Sequence, residues 1–283
     1  MAIRKLDTHP EDPHKSVTMK PDPTRIDPLK LKLGKGAARY DPRTLLLASY
    51  MTVGLPAPPA AANVAKKVKG SWGMMDNDQI GDCTCAAAGH LIMEWTANAS
   101  KMVTPTDQDI VTAYSAITGY NPVTGANDNG AQELDVLNYW RQQGIAGHKI
   151  EAYMALEPAN HTHVMDAVWI FGGCYIGLAL PKSAQAQTSN KQIWSVPPSG
   201  TGGDGKPGSW GGHAVPVVAY DARSLTVVTW GALQTMTWGF WAAYCDEAYA
   251  ILSPDYLEQK GGQTVTPGGF NLQQLQADLA DLK

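Results

Sequence analysis

Helical periodicity in the first half of the body and strand alternation in the second predict an α+β fold. Between Asp82 and Phe171 apolar residues recur at three- and four-residue spacing, and from Cys174 to Leu252 they alternate or run together over strand-length stretches. An extended, proline-rich basic arm precedes both. The expected organisation is an arm over residues 1–69, a body over 70–256 and a tail over 257–283.

The arm is defined by composition. The first 70 residues carry 13 Lys and Arg against 6 Asp and Glu, a balance of +7 that leaves −11 for the rest of a chain whose net charge is −4. They also hold 9 of the 19 prolines, in runs such as Lys20-Pro21-Asp22-Pro23 and Leu55-Pro56-Ala57-Pro58-Pro59. Proline removes backbone donors and pushes its neighbours toward extended conformations. The arm therefore reads as extended, with one short helix around Asp41–Met51. Its charge suits an acidic protein or assembly surface, and it leaves nucleic acid open as a partner.

In the body, Asp82 is a natural N-cap for a helix running through His90 and Trp95. Thr106, with Asp109 three residues on, opens a helix from Asp107 to Thr118. Asn121–Gly130 is a loop of turn residues. A third helix spans Ala131–Gln143, carries Leu134, Leu137 and Trp140 on one face, and stops at Gly144. His163–Phe171 is a fourth, short helix. Strands are predicted at Cys174–Leu180, His213–Tyr220, Leu225–Trp230, Thr237–Phe240 and Ala248–Leu252, with Ser183–Gly208 as a long loop. In the tail, Leu272, Leu275, Leu279 and Leu282 make Asn271–Leu282 a short amphipathic helix.

With 283 residues, 44% of them hydrophobic, the chain can bury a sizeable core. No stretch approaches the roughly 18 apolar residues of a membrane span, and Met1–Asp7 lacks the apolar core of a secretory signal. Four cysteines in this length do not make a disulfide scaffold. The expectation is a reducing setting, cytoplasmic or within a virion, without membrane contact. No cofactor or metal is expected. Gly202-Gly203-Asp204-Gly205 precedes no Lys-Ser/Thr, and His161-Thr162-His163 has no carboxylate or cysteine cluster nearby.

The chemistry concentrates in two segments. Asn77-Asp78-Gln79-Ile80-Gly81-Asp82-Cys83-Thr84-Cys85 is a cysteine-bearing turn running into helix formers. Gly211-Gly212-His213-Ala214-Val215 opens a strand, and a second strand ends at Thr229-Trp230-Gly231. A thiol on the first turn of a helix meets unpaired N–H groups and the positive end of the dipole, which favour a thiolate. An imidazole facing it can hold the proton.

These motifs, in this order, resemble the papain-like cysteine peptidases, over roughly residues 70–256. Gly81-Asp82-Cys83 resembles the family's nucleophile turn, and Asp128-Asn129-Gly130 its Asp-x-Gly approach to the third helix. Gly212-His213-Ala214-Val215 resembles its base strand, and Thr229-Trp230-Gly231…Trp238-Gly239 its closing tryptophan-glycine signature. The resemblance implies a helical half packed on an antiparallel sheet or half-barrel, and a peptidase or amidase with Cys83 as nucleophile and His213 as base. It implies a peptide or amide substrate. It also implies an oxyanion donor six residues before the nucleophile, which is Asn77 for Cys83 and Gln79 for Cys85. Cys83 is favoured because it keeps Gly81 and the helix start. The family's orienting asparagine falls on Val228. Thr229 would point to the opposite face of a regular strand, and Asp221 could reach back only if the hairpin bends. That gap leaves an alternative open, a weakly active or silent structural protein of a bacteriophage particle. His90 reads as a hydrogen-bonded core histidine.

Overall fold

The computed structural model of the chain describes residues 30–51, 57–260 and 263–265. The amphipathic helix expected at Asn271–Leu282 and most of the arm's proline runs lie outside the described residues. The fold is α+β, with helices leading and a mixed sheet following. In chain order the elements are β1 (Leu45–Leu46), β2 (Ala62–Asn63), α1 (Cys83–Asn98), α2 (Asp107–Thr118), α3 (Glu133–Gln142), β3 (Ala152–Ala155) and α4 (His161–Phe171). There follow β4 (Cys174–Leu180), α5 (Lys182–Ser189), β5 (Gly211–Tyr220), β6 (Ser224–Thr229), β7 (Ala232–Thr237), α6 (Trp238–Tyr244), β8 (Cys245–Leu252), β9 (Glu258–Lys260) and β10 (Gln263–Val265).

Helix α1 is buried on every side from Cys83 to Ala97. That is why its sequence is rich in small residues where neighbours come close. A Cβ on Gly89 would stand 2.5 Å from Met75 Sδ. Trp95 stacks on Trp140 of α3 at 5.3 Å and donates its indole N–H to the Phe171 carbonyl at 3.0 Å. Each large apolar side chain buried this way contributes about 1.5–3 kcal/mol. Helix α2 starts at the predicted capping box, with Thr106 and Asp109 bonded reciprocally, and ends at Gly119 with φ +74°.

The sheet runs β1-β3-β8-β4-β5-β6-β7, with β2 added along β5. Strands β4 and β5 pair antiparallel from Cys174↔Val217 to Leu180↔Gly211. Strand β5 divides two cores. Ala214 and Val218 pack toward α1 and α3, while Val215 and Val217 pack toward α4 and α6. Residues at the head of β5 therefore face either side of a wall whose position is fixed by both cores. Among the described residues no helix is long and apolar enough to cross a membrane.

Several elements differ from expectation. The Ser183–Gly208 loop begins with α5, because Ser183 to Gln187 are competent helix residues and only the later part is Gly/Ser/Pro-rich. Thr237–Phe240 is not a strand. Thr237 Oγ1 accepts from the Phe240 N–H and caps α6, so a local side-chain bond turns the chain helical. Asp41–Met51 forms β1 and a short 3-10 turn at Leu47–Ser49 rather than a helix. Strands β3 and β7, which the sequence reading lacks, join the sheet through β8 and β6.

Candidate active site

Cys83 is the first residue of α1, and the Ala214 N–H donates to its Sγ at 3.4 Å. The turn before it is fixed by Asp128, whose Oδ1 accepts from the Gly81 N–H at 2.9 Å and from the Tyr114 hydroxyl at 2.8 Å. The same hydroxyl accepts from the Gly130 N–H at 2.8 Å. The Asp128-Asn129-Gly130 motif thus clamps the turn before Cys83 to the loop leading into α3.

His213 lies on β5, one residue before Ala214. Its Nε2 is 2.7 Å from Thr229 Oγ1, and its ring stacks on Trp230 at 4.3 Å with planes 15° apart. Nδ1 is buried and has no hydrogen-bond partner among the described residues. Trp230 and Gly231, at φ +44° and +71°, form the two-residue turn between β6 and β7. That left-handed turn matches strand twist and holds the indole flat on the imidazole.

Thr229 corrects the sequence reading of the imidazole's partner. On β6, Leu225, Val227 and Thr229 share a face, and on β5 His213 shares that face with Val215 and Val217. Val228 points the other way, into the core that holds Cys83 and Ala214. The pleat therefore brings the threonine, and not the valine, to the imidazole. Asp221 is spent on its own turn, accepting from the Arg223 and Ser224 N–H groups.

Asn77 is buried, but its amide donates to the Ile80 carbonyl at 3.3 Å. Gln79 is exposed and bonded to Asp78, so the alternative register around Cys85 has lost its proposed donor to solvent. Asp82 occupies the N-cap position without a side-chain cap bond, contrary to expectation. Burial pushes its carboxyl well above the usual range, against a smaller opposing effect of Asn77. Its charge works against a thiolate next door, as one of the smaller causes that raise the Cys83 thiol. His90 is a core histidine, with Nε2 3.1 Å from the Gly73 carbonyl oxygen. His161 stacks on Trp238 at 4.3 Å, and the His163 backbone N–H is taken by the Asn160 cap.

The chain's own residues 31–36 pack over Cys83 and the head of β5. The Lys32 N–H donates to Asn77 O at 3.2 Å, and the Trp230 indole N–H donates to Lys32 O at 3.1 Å. Ala131 N–H donates to Gly34 O and Gly36 N–H to Ala131 O, both at 2.8 Å, while Lys35 N–H donates to Gly212 O at 3.1 Å. The segment is thus hydrogen-bonded to the helical half and to the sheet at once. The Gly34 N–H points at Cys83 Sγ, so the sulfur meets an amide hydrogen and not an electrophilic carbon. Burial pushes the Cys83 thiol up to about 12 and holds His213 down to about 3. Both groups are neutral at neutral pH while the segment is seated.

Comparison with solved structures gives the same architecture. The chain superposes on xylellain, a cysteine protease from Xylella fastidiosa, with a TM-score of 0.59 and 16% identity, covering 79% of this chain and 96% of that one. Digestive procathepsin L 3 of Tenebrio molitor matches with a TM-score of 0.53 and 11% identity over 80% and 77% of the two chains. The cysteine protease and lectin-like domains of Cwp84 from Clostridium difficile match at 0.53 and 9% over 81% and 58%. No protein-family model matches the sequence, and no curated protein does either. The chain has the papain-like cysteine peptidase fold.

Proposed function

We propose that the protein is a cysteine hydrolase acting on peptides or amides, with Cys83 as nucleophile, His213 as base and Thr229 as the residue that positions the imidazole. The observation that carries this reading is the pairing of Cys83 Sγ with the Ala214 N–H, beside a histidine whose Nδ1 is free and whose Nε2 is held by Thr229. When residues 31–36 lift, water and substrate reach both groups, and burial no longer suppresses their charged forms.

The reaction then requires the Cys83 proton to pass to His213 Nδ1, the ring nitrogen that Thr229 leaves free, as the sulfur attacks the substrate carbonyl carbon. The tetrahedral oxyanion forms at the start of α1, where backbone N–H groups are unpaired within the helix. His213 returns the proton to the departing amine as the C–N bond breaks, leaving a thioester on Cys83. Water adds to the thioester with His213 again taking a proton, and the acid leaves as the thiol is restored. Asn77 can join the oxyanion site only after releasing the Ile80 carbonyl.

The burial of Cys83 favours a second reading, a silent papain-fold protein kept for a structural role. Labelling with a thiol-reactive epoxide, followed by mapping of the modified cysteine and assay of casein hydrolysis, separates the two. An adduct on Cys83 and hydrolysis lost in Cys83→Ala are expected. Hydrolysis that survives Cys83→Ala overturns the assignment. Absence of turnover in both the parent and a Gly34→Ala variant replaces the hydrolase by the structural protein.

A further inference from the structure

Lys35 is the one charged residue of the covering segment whose side chain is driven inward, Lys32 being exposed. Its ammonium sits 2.8 Å from Glu247 Oε1 and 3.0 Å from Asp246 Oδ1, with the side chain 1% exposed. Glu133, the first residue of α3, is fully buried, attracts the same ammonium, and has neither carboxylate oxygen hydrogen-bonded among the described residues. Three carboxyl groups thus surround one cation. Burying such a cluster costs several kcal/mol unless a cation fills it, so a core of this kind is poor economy for stability alone.

The walls are shaped for a peptide carrying that cation. A Cβ on Gly177 would stand 1.9 Å from Lys35 Cε, and one on Gly212 would stand 2.2 Å from Lys35 O. A Cβ on Gly130 would stand 2.1 Å from Gly34 O. Three wall glycines therefore leave room for an extended backbone and one long stem. The flanks are tight, since a Cβ on Gly34 would be 1.7 Å from Gly81 O and one on Gly36 would be 3.0 Å from Gln132 Cγ.

We propose that Glu133, Asp246 and Glu247 form the side-chain pocket of the cleft, that it selects a lysine or arginine set between small residues in the substrate, and that Lys35 fills it while the cleft is covered. This rests on the cysteine hydrolase reading and names its substrate class. The ammonium supplies charge-assisted hydrogen bonds that a neutral side chain of equal length cannot, which sets a preference of roughly ten- to a hundredfold.

The test uses the full chain carrying Gly34→Ala, Lys35→Ala and Cys83→Ala, which unseats the covering segment, empties the pocket and blocks turnover. Binding of acetyl-Gly-Lys-Gly-amide and of its norleucine counterpart is measured by calorimetry, with a fold check by circular dichroism. The lysine peptide is expected to bind at least about tenfold more tightly, with the preference lost when Glu133→Gln and Glu247→Gln are added. Equal binding of the two peptides overturns the pocket. Lys35→Met, which keeps the stem's bulk, is run in parallel. Loss of fold in both backgrounds also overturns the proposal, since a pocket for incoming side chains must stand without Lys35. Lysine-selective binding with no hydrolysis by the Cys83-intact Gly34→Ala, Lys35→Ala protein upholds the pocket and removes the hydrolase reading. Hydrolysis indifferent to the basic residue does the reverse.

Discussion

The Ala214 N–H donates to Cys83 Sγ across 3.4 Å, which locks the residue after His213 to the first residue of the central helix. Cys85, two residues further along α1, is equally buried, but its thiol is pushed up by burial and then by Asp82, with only Thr84 opposing. Cys83→Ala is therefore expected to abolish both the epoxide adduct and hydrolysis. Cys85→Ala should keep the rate within about tenfold, or 1.4 kcal/mol of barrier. Mass mapping and steady-state assays of the two variants check this, and an adduct retained in Cys83→Ala would contradict it.

Thr229→Val removes the hydroxyl partner of His213 Nε2 while keeping the shape of the side chain. The imidazole loses the bond that fixes its tautomer and ring plane, and a fall of about ten- to a hundredfold in kcat/KM is expected. Thr229→Ser should recover most of it. A Thr229→Ser rate as low as that of Thr229→Val would show that the methyl group, and not the hydroxyl, matters.

Gly34→Ala drives a methyl group to 1.7 Å from the Gly81 carbonyl oxygen, where neither backbone can yield cheaply. The covering segment should unseat while the two cores stay intact. Iodoacetamide should then modify Cys83 at least about tenfold faster than in the parent, as burial no longer raises the thiol's pKa. Gly202→Ala, at a site with nothing within 4 Å, is the control and should change nothing. Equal rates for all three proteins would mean that the segment does not govern access.

His90 gives a pH signature. Burial holds its imidazole down to about 4, against an ordinary value of 6.5. Between those values the unfolded chain binds this proton and the folded chain does not, so its contribution to stability falls as pH falls. His90→Gln keeps a donor for the Gly73 carbonyl without titrating. Relative to that variant, the parent should lose about 1.4 kcal/mol of unfolding free energy per pH unit over this window. Denaturant unfolding of both proteins at stepped pH measures the difference, and parallel curves would refute it.

Much of the fold was legible because local signals and burial agreed. The capping box at Thr106 and Asp109 set the start of α2, and the apolar run Cys174–Leu180 marked β4 at its observed bounds. Helix α6 was misread because aromatic residues suit strands by composition, and only the Thr237 cap decides otherwise. Cys83 and His213 could be found from their glycine-marked turns. Thr229 could not, because which face of β6 meets the imidazole depends on how β5 is shared between two cores. Glu133 and the adjacent pair Asp246-Glu247 are far apart in sequence from each other and from Lys35, and no spacing announces them.

In the proposed hydrolase, residues 31–36 belong to the same molecule as the site they cover, so they act as a tethered competitor. A tether holds such a segment at an effective concentration set by its length and stiffness, and here β1 and β2 anchor the following stretch to the sheet, whatever the dilution of the protein. A free peptide making the same backbone bonds must exceed that level to win the site. Diluting the protein would not uncover Cys83, and neither would dialysis. The apparent KM would carry the tether as a constant multiplier, and cutting the chain anywhere between residue 36 and the body would turn that multiplier into an ordinary dissociation constant.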